Sequence, residues 1–206
     1  SIDLDDFDEI LKLALLQKPN RVVITGDLID KLAWLPEVCE RLTTFAKQIP
    51  DGVDFILGNH EYHHDVNKVL DELKHNTPMN ILVNSNIQIM GGKQPVYIAG
   101  VAYDNDREKE KREAMIDKAL SGIPDYAFVI LLAHHPEFFE EAIERKIPLT
   151  LSGHTHGGQI VFMGMPLVPT GTPYTKGRYV EEQSVCYVNN GTGHWFPIRI
   201  NCPREI

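Results

Sequence analysis

Arg21-Val22-Val23-Ile24-Thr25-Gly26-Asp27-Leu28-Ile29-Asp30 is a short β-branched run that ends in a glycine and two carboxylates. β-branched residues fit a pleated, buried surface, so the run reads as a strand. A carboxylate at the carboxyl end of an inner strand of an α/β sheet stands where such sheets bind ligands. Asp27 is placed there to bridge metals, and Asp30, one turn on, to orient a neighbouring histidine. Alone, Gly-Asp after a strand is also ordinary turn chemistry. The pattern returns, however. Val53-Asp54-Phe55-Ile56-Leu57 delivers Gly58-Asn59-His60-Glu61, with Asn59 as a neutral carbonyl ligand and His60 as a proton donor. Ala127-Phe128-Val129-Ile130-Leu131-Leu132 is the most apolar run and ends in Ala133-His134-His135-Pro136, where His134 falls at the matching place. Leu149-Thr150-Leu151 leads into Ser152-Gly153-His154-Thr155-His156-Gly157-Gly158-Gln159. An isolated His-x-His is equally a Gly-rich loop with two solvated rings. In a turn after a strand, both imidazoles instead converge on a pair of metal ions, with Ser152 and Thr155 offering hydroxyls to their N–H groups.

Composition sets the bounds. A chain of 206 residues, 43% hydrophobic, buries a substantial core, and without repeats or a Ser/Gly linker it reads as one domain over residues 1–206. The formal charge of −9 argues against nucleic-acid binding through a basic surface, but not against a phosphate substrate if cations supply the positive charge. Cys39, Cys186 and Cys202 lack CxxC spacing and read as reduced packing residues. No apolar run reaches transmembrane length and no signal peptide is visible.

Along the chain, Ser1 to Gln17 reads as a helix whose early acids Asp3, Asp5, Asp6 and Asp8 favour its dipole rather than a metal. Helices follow over Leu35 to Gln48, Asp65 to His75 and Phe138 to Lys146. Ile81–Val83, Ile87–Ile89 and Val96–Val101, with turns at 84–86 and 90–92, form a meander and so a second sheet. The charged run Asp104 to Lys118 reads as a solvated loop entering a surface helix. Ile160–Phe162, Gly177–Val180, Val185–Val188 and Ile198–Ile200 read as further β structure. His63, His64 and His75 read as solvent-facing or packing histidines.

With GDLID, GNHE, AHHP after an apolar strand and GHTHGGQ in that order, residues 20–160 resemble the calcineurin-like dimetal phosphoesterases. GHTHGGQ and the tail PIRINCPREI look most like the bacterial membrane-associated phosphodiesterase branch, which includes UDP-diacylglucosamine pyrophosphatases of lipid A synthesis. The resemblance implies a four-layer α/β/β/α sandwich of two mixed sheets. It makes Asp27 the bridging carboxylate, completes one metal site with Asn59, His134 and His154, and assigns His156 to the other metal. His60 is then the general acid, paired with Asp30. Two divalent ions, Mn²⁺ first and Fe or Zn²⁺ next for this His/Asp/Asn set, acidify a water whose hydroxide attacks phosphorus. The implied substrate is a small-molecule phosphodiester or pyrophosphate, down to a lipid-linked nucleotide, in a soluble domain, cytoplasmic or peripheral to the bacterial membrane. Membrane contact is expected through a segment outside this chain.

The chain departs from that family at one point: it has no Asp-x-His and no histidine before His60. Asp3 precedes a helix and does not replace it. The expectation is a domain lacking its first strand, N-terminally incomplete, whose second metal keeps only Asp27 and His156. A protein phosphatase fits less well, because Lys31 and Tyr62-His63 stand where the resemblance asks for arginines. The alternative of another class is a non-catalytic single-metal scaffold or inactive fragment. Candidate substrate contacts are the loop Asp104 to Arg112 and the loop Pro169 to Arg178, with Lys176 and Arg178 for a second phosphate. Gly191 to Trp195 is a further candidate, although a packed Trp195 and a surface His194 are the simpler reading.

Overall fold

A computed structural model describes residues 2–89, 93–102, 108–195 and 197–206. Helix α1 (Leu4–Leu16) opens at Asp3, whose carboxylate accepts from the Asp6 N–H at 2.8 Å, so the early acids serve as an N-cap and first-turn charge. Strands β1 (Val22–Ile24), β2 (Val53–Phe55) and β3 (Asn80–Ile81) form a three-stranded sheet in that order, parallel throughout. Between them run α2 (Leu35–Ala46), the one-turn α3 (Asn59–His63) and α4 (Val66–Asn76).

The second sheet has six strands. Strands β4 (Ser85–Ile89) and β5 (Val96–Gly100) make an antiparallel pair, but the first strand of the expected meander, at Ile81–Val83, instead joins the first sheet as β3, in parallel with β2; α5 (Lys109–Leu120), β6 (Phe128–Leu132), α6 (Phe138–Glu144) and β7 (Leu149–Ser152) follow. After a short hairpin, β8 (Val161–Phe162) with β9 (Met165–Pro166), the strands β10 (Gly177–Glu181) and β11 (Ser184–Val188) complete the order β10-β11-β7-β6-β5-β4. Its four inner strands are parallel and its two edge strands antiparallel. The expectation of two mixed sheets therefore holds for this sheet, while the smaller one pairs only in parallel among the described residues. Ile198–Ile200, expected as a strand, makes only one bridge, Ile160 to Ile200. The turn at 90–92 and part of the loop Asp104 to Arg112 lie outside the described residues.

Alternation of side chains across each strand builds the layers. Val22, Ile24, Val53 and Phe55 pack outward against α1, α2 and α4 through Phe7, Leu42, Phe45 and Leu73. Val23, Ile56 and Leu82 pack inward against Ile98, Ile130, Leu132 and Leu151 of the other sheet. The outer face of that sheet, with Ala99, Leu131 and Cys186, is covered by Ile116 of α5 and Phe138 and Phe139 of α6. The order is α/β/β/α. Leu42, Phe55, Leu73 and Leu131 are fully buried, and truncating any one to alanine costs about 2–5 kcal/mol. Helix α5, read as a surface helix, in fact buries Ile116 and Ala119 completely. The three cysteines are free and buried.

β1 differs from β2. All three β2 residues are buried, whereas all three β1 residues are only half-buried, because among the described residues β1 has a hydrogen-bonded neighbour on one side only. It is an edge strand, not the inner strand expected.

Candidate metal centre

The carboxyl ends of β1, β2, β6 and β7 meet where the two sheets close together. Space there dictates the glycines. A Cβ on Gly26 (φ +94°) would stand 2.6 Å from Gly58 N and from His134 Nδ1, and one on Gly58 would stand 2.2 Å from the Asp27 carboxylate. This is why both polar clusters begin with glycine. Asp27 itself adopts φ 57°, a region L residues seldom occupy and one that clusters at functional sites.

Four donor atoms converge. Asn59 Oδ1 lies 3.0 Å from His134 Nε2 and 3.0 Å from His154 Nδ1, and these two ring nitrogens are 3.2 Å apart. Asp27 Oδ2 lies 3.2 Å from the same His134 nitrogen. Donors held about 2.1 Å from one divalent cation in octahedral geometry stand about 3 Å from one another, so these spacings fit a single first coordination sphere. His134 Nδ1 donates to the Thr25 carbonyl at 2.6 Å, which leaves the Nε2 lone pair for a cation. The hydroxyls of Ser152 and Thr155, expected to hold the N–H groups of His154 and His156, make no such contact among the hydrogen bonds of the described residues. Thr155 Oγ1 donates instead to Thr175 O at 2.6 Å, and Ser152 is buried.

Electrostatics agree with the donor set. Burial opposes the charge of Asp27, yet His134 and His60 hold its carboxyl well below the usual range. Burial, then the neighbouring His135 and His134, pushes His154 down to about 2, keeping its ring neutral. Burial, then Arg199, pushes His156 down to about 4. A neutral imidazole is the form that ligates metal.

His60 and Asp30 are brought together as expected: Nδ1 of His60 and Oδ1 of Asp30 form a short hydrogen bond, and His60 Nε2 lies 3.8 Å from Asp27 Oδ2. Asp30 raises the His60 pKa above its ordinary value, and His60 lowers that of Asp30 to about 2. His64, read only as a surface or packing residue, places Nε2 3.2 Å from the Asp30 carbonyl.

His156 stands apart from this cluster. It lines the same cavity of about 360 Å³ as Asp27, His60, His134 and His154. Its Nδ1 is 3.4 Å from the Arg199 guanidinium, which also donates to the carbonyls of His156 (3.3 Å), Asn190 (2.9 Å) and Gly191 (3.2 Å). Trp195 meets the His156 ring edge-on at 5.3 Å but is 41% exposed, so the packed Trp195 is corrected, while His194 stays partly exposed and also lines the cavity. The Gly191-Thr192-Gly193 loop lines the cavity too, whereas Lys176 and Arg178 are not among its lining residues. The far end of the cavity is apolar, between α1 (Leu11, Ala14) and the unpaired side of β1.

Three residues escaped the sequence reading. Glu61 is fully buried, and its carboxylate accepts from the backbone N–H groups of Asp27 (3.0 Å), Leu28 (2.7 Å), Ile29 (2.8 Å) and Gly58 (2.7 Å). It ties the loop after β1 to the loop after β2. The signal available was its place in GNHE, an acid at the start of a helix that proves fully buried. His135 has a ring nitrogen within 4.8 Å of those of His134 and His154. Its ring lies nearly flat on His154, with centroids 3.8 Å apart and planes at 25°. Ligand lone pairs lie in the ring plane, so stacked rings do not aim at one ion, and His135 packs rather than ligates. Arg199 is the third.

The sequence of residues 2–158 matches the calcineurin-like phosphoesterase family. This chain belongs to that family. An uncharacterized metallophosphoesterase of Campylobacter jejuni is 37% identical over 97% of this chain and 52% of its own length. The metallophosphoesterase YkuE of Bacillus subtilis is 30% identical over 98% of the chain and 71% of its own length. A transmembrane protein with a metallophosphoesterase domain from Danio rerio is 32% identical over 91% of the chain and 45% of its own. The chain thus spans about half the length of several curated relatives it matches, which are bacterial and animal. In fold it is similar to the NAD nucleotidase NadN of Haemophilus influenzae (TM-score 0.53, 17% identity, 90% of this chain and 43% of that one). The sulfate thiohydrolase SoxB of Thermus thermophilus is similar to the same degree (TM-score 0.53, 15% identity, 91% and 37%).

Proposed function

We propose that this chain is the metal-binding domain of a phosphohydrolase that cleaves a phosphodiester or pyrophosphate bond. The observation that carries the reading is the convergence of Asp27, Asn59, His134 and His154 at spacings that fit around one ion, with His60 Nε2 facing the same point. Asp27, Asn59, His134 and His154 would hold one divalent ion, and Asp27 with His156 would begin a second site. Divalent ions bound there supply Lewis acidity toward water and toward phosphoryl oxygens. Mn²⁺ suits the mixed oxygen and imidazole donors, with Fe or Zn²⁺ next.

The chain's own groups do the proton work. Asp30 accepts from His60 Nδ1–H and so keeps that ring oriented and protonated. Nε2 then donates to the leaving-group oxygen, a contribution typically worth 10²–10⁴-fold. Glu61 holds the Asp27 loop while the charge near it changes.

A lipid-linked nucleotide such as UDP-diacylglucosamine is the narrower substrate candidate, consistent with the apolar end of the cavity beside the metal ligands. Among the described residues no helix is long and apolar enough to cross a membrane. The competing reading, a single-metal scaffold, draws on the Arg199 guanidinium beside His156 Nδ1, which disfavours a second cation there. Hydrolysis of bis(p-nitrophenyl) phosphate and of a UDP-linked pyrophosphate after Mn²⁺ loading decides between them. Turnover that falls in His60→Asn with metal retained supports the enzyme. Metal binding with no turnover on either substrate supports the scaffold.

A further inference from the structure

The hairpin β8–β9 has no role in the metal centre, yet it exposes a row of apolar side chains. Phe162, Met163, Met165 and Leu167 are 58%, 84%, 66% and 62% exposed, while Val161 on the opposite face is buried. Its two-residue turn, Met163-Gly164, has φ of 48° and 82°, the positive values of a type I′ turn. It makes a tight convex tip. Ile198 and Ile200 of the tail, also about half exposed, lie beside it, since Val161 N–H donates to the Ile200 carbonyl at 2.9 Å. A contiguous exposed apolar patch of this kind on a soluble domain marks an interaction surface.

The charge pattern identifies the partner. The chain carries −9 overall, but between Lys146 and Lys176 the sequence has no Asp, Glu, Lys or Arg. The first charges after the hairpin are Lys176 and Arg178, and among the described residues neither pairs with a carboxylate. A charge-free apolar tip followed by unneutralised cations is the arrangement that enters the headgroup region of an anionic bilayer, the apolar side chains going below the phosphates and the cations staying level with them. A protein interface surrounds its apolar core with a polar rim, and the hairpin itself carries no charged side chain to build one.

We propose that the β8–β9 hairpin docks this chain on an anionic lipid surface, with Phe162, Met163 and Met165 inserted and Lys176 and Arg178 against the headgroups. The hairpin also sets the orientation of the metal centre. Pro166 of β9 sits where a Cβ on Gly158 would come within 2.3 Å of it, so the tip is continuous with the loop that carries His154 and His156. Docking would hold the cavity close to the membrane plane. The inference does not depend on catalysis.

The test is co-sedimentation of the whole chain with vesicles of phosphatidylcholine, with and without phosphatidylglycerol, for wild type, the double variant Phe162→Ser/Met163→Ser and the double variant Lys176→Glu/Arg178→Glu. Far-ultraviolet circular dichroism checks that each folds, and sedimentation velocity reports self-association. The expected result is retention on the phosphatidylglycerol vesicles that weakens with salt and falls roughly tenfold or more in each double variant. Absence of retention, equal retention on neutral vesicles, or unchanged retention in Phe162→Ser/Met163→Ser overturns the proposal. A wild-type dimer that dissociates in that variant also overturns it, because a second copy then covers the tip.

Discussion

The two halves of the candidate metal centre are built differently. Around His134, four donors come from four strand ends, and His134 is pinned by a backbone carbonyl while Glu61 clamps the loops after β1 and β2. Around His156, the ring is held by the C-terminal tail: the Arg199 guanidinium lies against Nδ1, and Cys202 Sγ donates to the His156 carbonyl at 3.3 Å. The first half is pre-organised before any ion arrives. The second depends on a segment about forty residues further along the chain. Pre-organisation is what separates a tight site from a weak one, since a ligand set already in place loses little entropy on binding.

The largest effect expected is at the shared carboxylate. Asp27→Asn removes the one anionic donor and should lower both Mn²⁺ affinity and turnover by roughly a thousandfold, measured by calorimetry and by diester hydrolysis. If only the His156 half weakened, the two halves would not share Asp27. Next is Glu61→Ala, which strands four backbone N–H groups in the interior. Loss of about 3–5 kcal/mol of unfolding free energy is expected in urea melts, with smaller loss for Glu61→Gln. A neutral result would mean that the loops hold themselves. His60→Asn should reduce turnover by about 10²–10³ with metal content unchanged, because the role proposed for the ring is to donate a proton and not to ligate. Arg199→Met removes the positive charge beside His156 Nδ1 and should tighten only the second ion, about tenfold, leaving the first as in wild type. Equal tightening of both would erase the contrast between the halves.

The smallest effect is in pH. The folded pKa of His60 is raised by Asp30, so its share of stability is complete below about 6.5, the unfolded value, and fades as pH rises through the folded value. Asp30 is lowered to about 2, so its share is present above about 3.8 and fades as pH falls through about 2. Wild type minus Asp30→Asn stability, followed from pH 3 to 9, should therefore be greatest between about 4 and 6.5.

What could be read from the sequence was what is local. β-branched and apolar runs ending in polar clusters located β1, β2, β6 and β7 and the polar side chains after each that the structure brings together, because strand period and turn chemistry act over a few residues. The Asp3 cap and the antiparallel β4–β5 pair were readable for the same reason. What escaped depends on distant contacts. The Thr25 carbonyl that orients His134 is 109 residues away in the chain, and Arg199 is 43 residues from His156. Glu61 looks like an ordinary helix-start acid until two loops close around it. Edge or inner position of β1 is a property of the sheet, not of Val22–Ile24, and the half-buried side chains there carried no sign of it.

The measurement that tests the central claim most directly is Mn²⁺ retained per chain after loading and desalting, in wild type and Asp27→Asn. The account predicts one tightly held ion in wild type, and its loss in the variant. No ion in wild type, or the same ion in both, would contradict it.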